Sequence, residues 1–150
     1  MNEPEQSTVA KAKAEAVMHQ MLAKDAFSQL LGLEVEAVDA GYCRLRFRVR
    51  EDMLNGFGIL HGGVSYSAAD SALAFACNSH GRLSVALSTT MDYLEPGQLG
   101  DVLTVEAKEE SLKHKISVYH IRITNQNGVL VALFKGTAYR TGKELLEGEE

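Results

Sequence analysis

The stretch from Gly62 to His80 (GGVSYSAADSALAFACNSH) constrains this chain more than any other. It lacks runs of β-branched residues, is rich in Ala and Leu, and stops at Gly81, so it reads as one long helix. Apolar or small side chains occupy nearly its whole circumference, and such a helix is stable only when buried on most sides. One charge interrupts it. Asp70 is the only Asp, Glu, Lys or Arg between Asp52 and Arg82.

The flanking segments supply the wrapping. From about Thr8 to Leu31, Val9, Ala12, Ala16, Val17, Met21 and Leu30 recur at helical spacing, and Gly32 ends that helix as a C-cap. A strand over Leu33–Asp39 and the turn Ala40-Gly41 lead into Tyr42–Val49, where Leu45, Phe47 and Val49 alternate with Arg44, Arg46 and Arg48. After the long helix, strands are expected over Ser84–Leu94, Val102–Ser111, Ile116–Thr124 and Val129–Arg140. Pro96-Gly97 and the hairpin turn Asn125–Gly128 separate them.

That order predicts an α+β fold. An antiparallel sheet, its later strands joined by turns too short for crossovers, curves around one long central helix, with an N-terminal helix in addition. Two subunits sharing a continuous sheet would hide the edge strands. The 150 residues are expected to form one domain, with about 1–29 as a helical extension and 142–150 as a disordered acidic tail.

Composition closes several routes. A net charge of -5 argues against nucleic acid as a partner. Cys43 and Cys77 show no framework spacing, which fits a reduced, cytoplasmic protein. The N-terminal residues carry early acids and no apolar core of a signal peptide, and no span long enough for a membrane occurs. The five histidines lack metal-ligand spacing, so neither metal nor cofactor is expected. Gly56-Phe-Gly58 lacks the third glycine and the context of a dinucleotide fingerprint, and no GxSxG elbow occurs.

Two features carry chemistry. A carboxylate amid apolar neighbours has a movable pKa, which suits a base or a nucleophile. A structural Asp70, bonded to hydroxyls such as Ser67 or Ser88 or reaching water, is the plainer alternative. His61-Gly62-Gly63 opens the helix, where backbone N–H groups have no internal partners and the dipole favours negative charge. With glycines there, a ligand can approach the backbone, which makes an oxyanion hole for a thioester carbonyl or merely a Gly-rich helix start. Spacing then matters. Gly62 and Asp70 are roughly 12 Å apart along one helix at about 1.5 Å per residue. One reacting carbon must lie near both groups, so if both are catalytic, Gly62 works with Asp70 of a second subunit.

At this point the residues match a known pattern. Asn55-Gly-Phe-Gly-Ile-Leu-His61-Gly62-Gly63, then Ser-Ala-Ala-Asp70 through Ser79, closely resembles the phenylacetate-pathway thioesterases of the hotdog superfamily. The likeness extends through Val85-Ala-Leu-Ser88 to Pro96-Gly97 and Gly100-Asp101, and more weakly over about Leu30 to Arg140. The resemblance implies a hotdog fold, dimers paired into a tetramer, and an acyl-CoA thioesterase acting on an aryl-acetyl or hydroxyphenylacetyl thioester. By the same resemblance Asp70 is the catalytic carboxylate and Gly62 the oxyanion donor, with Gly63 beside it on the substrate. Asn55 then positions water or substrate, His61 supports the turn, and Ser88 lies near the carboxylate.

Rival readings are a hotdog hydratase or dehydratase, which needs a second acid or base beside Asp70, and a non-catalytic acyl-CoA-binding module. For the CoA phosphates, the Arg44/Arg46/Arg48 stripe competes with Lys113, Lys115, Arg82, Arg140 and Lys143. The sequence does not choose.

Overall fold

The computed structural model describes residues 2–146. Helix α1 (Glu3–Lys24) starts earlier than the spacing predicts, because Asn2 and Glu5 form a capping box and Pro4 sits in the first turn. The N-terminal helix is also not continuous. Asp25 interrupts it by accepting the Ser28 N–H at 3.0 Å, which caps a second short helix, α2 (Ala26–Leu30).

Six strands follow: β1 (Glu34–Asp39), β2 (Tyr42–Arg48), β3 (Arg82–Tyr93), β4 (Val102–Leu112), β5 (Ile116–Thr124) and β6 (Leu130–Glu144). The central helix α3 (Gly62–Asn78) lies between β2 and β3 in sequence. All strand pairs are antiparallel, in the spatial order β1-β2-β4-β5-β6-β3. That order corrects one expectation. β3 and β4 are consecutive in the chain but separated by β5 and β6 in the sheet, so the connection 94–101 steps across three strand spacings, about 14 Å.

The sheet curls round α3, as the helix's composition requires. Cys43, Leu45, Phe47, Leu103, Val105, Tyr119, Ile121 and Phe134 point inward from alternate strand positions, against Ala68, Ala69, Ala72, Leu73, Phe75 and Ala76. Contact is closest on β6, where an ideal Cβ at Gly136 would lie 2.6 Å from Leu73 Cδ2. At the far end of α3, Glu109 Oε2 joins His80 Nε2 and Tyr119 OH, each at 2.7 Å.

The C-terminal expectation is corrected in part. β6 continues through Glu144, which pairs with Arg82, and Leu145 N–H donates to Gly81 O at 2.8 Å. Residues 142–146 are therefore tied to the sheet end, and 147–150 lie outside the described residues. Among the described residues no helix is long and apolar enough to cross a membrane.

The two sheet edges differ. α1 packs along β1, whereas among the described residues no strand or helix lies on the outer side of β3. Val85, Leu87, Tyr93 and Leu94 are all exposed along it.

Gly136→Ala is expected to destabilise the fold by about 1–3 kcal/mol, because the added methyl must displace Leu73 from a filled core. Urea unfolding of the two proteins side by side measures it.

Candidate active site

The His61-Gly62-Gly63 turn has a definite division of labour. His61 is the N-cap of α3, and its ring Nδ1 accepts the Gly63 N–H at 2.8 Å. Gly63 N–H is therefore already used. Gly62 N–H has no acceptor among the described residues and remains as the donor at the helix start. At both positions an added side chain would press on a neighbouring ring, which would have to shift. A Cβ at Gly62 would lie 3.0 Å from the Tyr93 ring, and one at Gly63 would lie 2.9 Å from His61 Nδ1.

Asn55 lines the apolar pocket beside Gly62, a cavity of about 420 Å³ whose walls include Leu60, Tyr93, Leu94 and Pro96. Its side-chain oxygen accepts Phe57 N–H at 2.9 Å, so turn chemistry accounts for that atom. Its amide NH₂, oriented by that bond, has no acceptor among the described residues.

Asp70 stands on the one stripe of α3 that the sheet leaves open, together with the exposed Gly63 and Tyr66. It accepts no hydrogen bond among the described residues. The hydroxyls that might have held it are elsewhere engaged or turned away: Ser67 Oγ donates to Gly63 O at 2.7 Å. A bulge between Ala86 and Ser88 sets Ser88 opposite Thr137. The next residue, Thr89, is the one that bonds Tyr66 of α3, so Ser88 faces the other side of the sheet. Within one protomer Ser84 and Ala86, rather than Ser88, line the Asp70 pocket.

The pocket around Asp70, about 310 Å³, is walled by Met21, Leu73, Cys77, Leu83, Val85 and Leu145, with Ser84 and Ala86 completing it along β3. Its apolar walls desolvate the carboxylate and raise its pKa above the usual value, and the nearby negative charge of Asp25 raises it further. Cys77 is not a rival nucleophile, since burial pushes its thiol up to about 12.

Asp25 is the residue that reading the sequence overlooked. Its carboxylate accepts Ser28 Oγ–H at 2.6 Å, and Ser28 Oγ lies 2.8 Å from Ser71 Oγ, next to Asp70 in sequence. This polar chain docks α2 on α3 and carries a second acid toward the first. The only sequence signal is an Asp three residues before a Ser, the spacing of a helix cap.

Within one protomer, then, the pocket at Gly62 and the pocket at Asp70 share no lining residue. Both open along the seam between α3 and β3. Tyr93, near the end of β3, donates to Gly62 O at 3.2 Å, while Val85 and Ala86, near its start, wall the Asp70 pocket.

Comparisons with known proteins agree with this architecture. Residues 57–132 match the model of the thioesterase superfamily. The acyl-coenzyme A thioesterase PaaI of Escherichia coli is 41% identical over 124 residues, which cover 83% of this chain and 89% of that protein. The structure of the E. coli PaaI protein superposes with a TM-score of 0.88 at 40% identity, covering 89% of this chain and 97% of that one. A Streptococcus mutans protein bound to acetyl CoA gives a TM-score of 0.73 at 27% identity, covering 75% of this chain and 90% of that one. The chain belongs to the thioesterase superfamily and is a hotdog-fold thioester hydrolase.

Proposed function

We propose that this protein hydrolyses an acyl-CoA to the free acid and CoA at a site assembled across two copies of the chain. One observation carries the reading: among the described residues, a helix-start N–H without an acceptor and a carboxylate without a donor lie along one seam beside an unpaired edge strand. Pairing β3 with β3 of a second copy about a two-fold axis would continue the sheet and cover the exposed Val85, Leu87 and Tyr93. An antiparallel pairing centred in β3 sets the end bearing Tyr93 and Gly62 of one copy against the start bearing Val85 and Asp70 of the other. That geometry supports two sites per dimer; a tetramer would pair two such dimers.

In this mechanism the Gly62 N–H donates to the thioester oxygen as charge develops on it. Asp70 of the other copy takes a proton from water as it attacks the carbonyl carbon, and returns that proton to the departing thiolate. In direct attack the Asp70 carboxylate adds to the carbonyl carbon and the C–S bond breaks, releasing the CoA thiolate and leaving an anhydride that water opens to the free acid and Asp70. Solvent-oxygen labelling in a single turnover separates the two: label appearing first in Asp70 identifies the anhydride route. His61 fixes the turn, and the Asn55 amide orients water or substrate. Gly63, its N–H held by His61, contributes close approach rather than a donor, and Ser88, on the strand that meets the second copy, is the polar group offered to the carboxylate across that pairing. The apolar cavity beside Gly62 and the likeness to PaaI support an aryl-acetyl or hydroxyphenylacetyl thioester as substrate.

Asp70→Asn keeps the shape and removes the base, so thiol release from a panel of aromatic and aliphatic acyl-CoAs should fall by about 10²–10⁴-fold. Full activity in that variant would end the mechanism, and no thiol from any thioester with wild type would end the function. The same substitution should raise the melting temperature at neutral pH. A carboxyl whose pKa is raised by folding favours the folded state when protonated, and that contribution is lost as pH rises through the folded pKa. The gain over wild type should therefore vanish in acid.

Catalysis requires the Asp70 carboxylate, so activity should decline on the acid side at a pH raised from the ordinary aspartate value by the burial of that group. Asp25→Asn keeps the cap of α2 and removes a like charge, and should shift that acid limb to lower pH. An unmoved limb in the pH–kcat/KM profile would sever Asp25 from Asp70.

A further inference from the structure

One hydroxyl of α3 is left without a partner. Ser67 Oγ donates to Gly63 O at 2.7 Å, Ser71 Oγ lies 2.8 Å from Ser28 Oγ, and Tyr66 OH bonds Thr89 Oγ1. At the C-cap, Ser79 Oγ donates to Ala76 O at 2.6 Å. Ser65 is the exception. It is only 3% exposed, yet its Oγ has no hydrogen-bond partner among the described residues. Nor is that oxygen sealed in, since the fully enclosed polar side-chain atoms without a partner are Arg82 Nε, Ser117 Oγ and Arg140 Nε. The surface it keeps opens into the cavity beside Gly62, which Ser65 lines.

The rest of that cavity, about 420 Å³, is walled mainly by Ile59, Leu60, Leu94, Pro96 and Val131. Its other polar groups already have tasks. Tyr93 OH donates to Gly62 O at 3.2 Å, and Asn55 closes its own turn with Oδ1 and offers its amide to the reacting end. Glu95 also lines the cavity, and a carboxylate there disfavours an acyl group that itself ends in a carboxylate.

A nearly buried hydroxyl without a partner is unfavourable in apolar surroundings unless a ligand supplies the bond. For a purely apolar acyl group an alanine would serve better, and alanine is also the stronger helix former. Position identifies the ligand group. Ser65 lies three residues beyond Gly62, roughly 4.5 Å of helix rise. Side chains on a helix lean toward its N-terminus, so the Ser65 hydroxyl is carried back toward the turn that holds the Gly62 N–H. An acyl group with its carbonyl oxygen on that N–H and its chain in the cavity passes Ser65 roughly one ring's span beyond the carbonyl.

We propose that Ser65 is a specificity-determining residue, whose hydroxyl hydrogen-bonds a ring hydroxyl of the acyl group held in the cavity beside Gly62. The proposal rests on the acyl-CoA reading above. Within it, Ser65 selects a hydroxylated aryl-acetyl thioester over the unsubstituted one.

Thiol-release kinetics with phenylacetyl-CoA and its 3- and 4-hydroxy derivatives, on wild type and Ser65→Ala, test it. Wild type should favour a hydroxylated substrate in kcat/KM. Ser65→Ala should cut that preference by about 3–10-fold, as loss of one neutral hydrogen bond does. Because the hydroxyl is unbonded in the free protein, Ser65→Ala should melt no lower than wild type. An unchanged preference overturns the proposal. So does an equal loss on all three substrates with a lowered melting temperature, which marks a hydroxyl needed for the fold. Calorimetry of the same thioesters on Asp70→Asn and on Asp70→Asn/Ser65→Ala reads the preference as binding, without turnover. Thiol release from no thioester by wild type overturns the acyl-CoA reading instead, and the calorimetry still decides whether Ser65 discriminates: a preference lost with the serine upholds the contact, and equal binding overturns it.

Discussion

Helix α3 presents apolar or small side chains on nearly every side, and a flat sheet can cover only one of them. Strands β2, β4, β5, β6 and β3 therefore curl until their inward residues reach most of its circumference. The small residues on both surfaces set how closely the layers approach. Gly136 admits Leu73, and the alanines of α3 let the strands come near the helix backbone. The step of the chain from β3 to β4 follows from the same demand, because β3 closes the open side from the far edge of the sheet.

Wrapping leaves one stripe of the helix uncovered, and that stripe and the bare edge of β3 form a single seam. Three groups without a hydrogen-bond partner among the described residues lie along it: the Gly62 N–H, the Asn55 amide and the Asp70 carboxylate. A surface that is apolar, has an open strand edge and carries unmet polar groups is suited both to a second copy and to a substrate. The proposed site uses one surface for both, so assembly and chemistry depend on each other.

The parts outside the wrapped core act on that seam. α1 contributes Met21 to the wall beside Asp70, and α2 brings Asp25 near enough to raise its pKa through the Ser28–Ser71 contact. The end of β6 ties Leu145, part of that pocket's wall, to Gly81. The helical extension and the strand terminus shape the site, and α1 also covers part of α3, with Ala14 and Met18 in the core.

How much of this was legible from residues alone follows from range. Periodicity, caps and turn glycines act within a few residues, so the long helix, the six strands and the antiparallel α+β fold could be read from the chain. Asp70 was visible for the same reason, as the one charge in an apolar helix. The strand order was not, because short connections say nothing about which strands become neighbours around a curved layer. Nor was the break at Asp25, where a side-chain cap competes with helix continuation, or the pairing of β6 through Glu144. The face to which Ser88 points depends on a bulge that shifts register by one residue and so reverses the alternation. Such facts are set by contacts between residues far apart in the chain, and only the folded structure decides those.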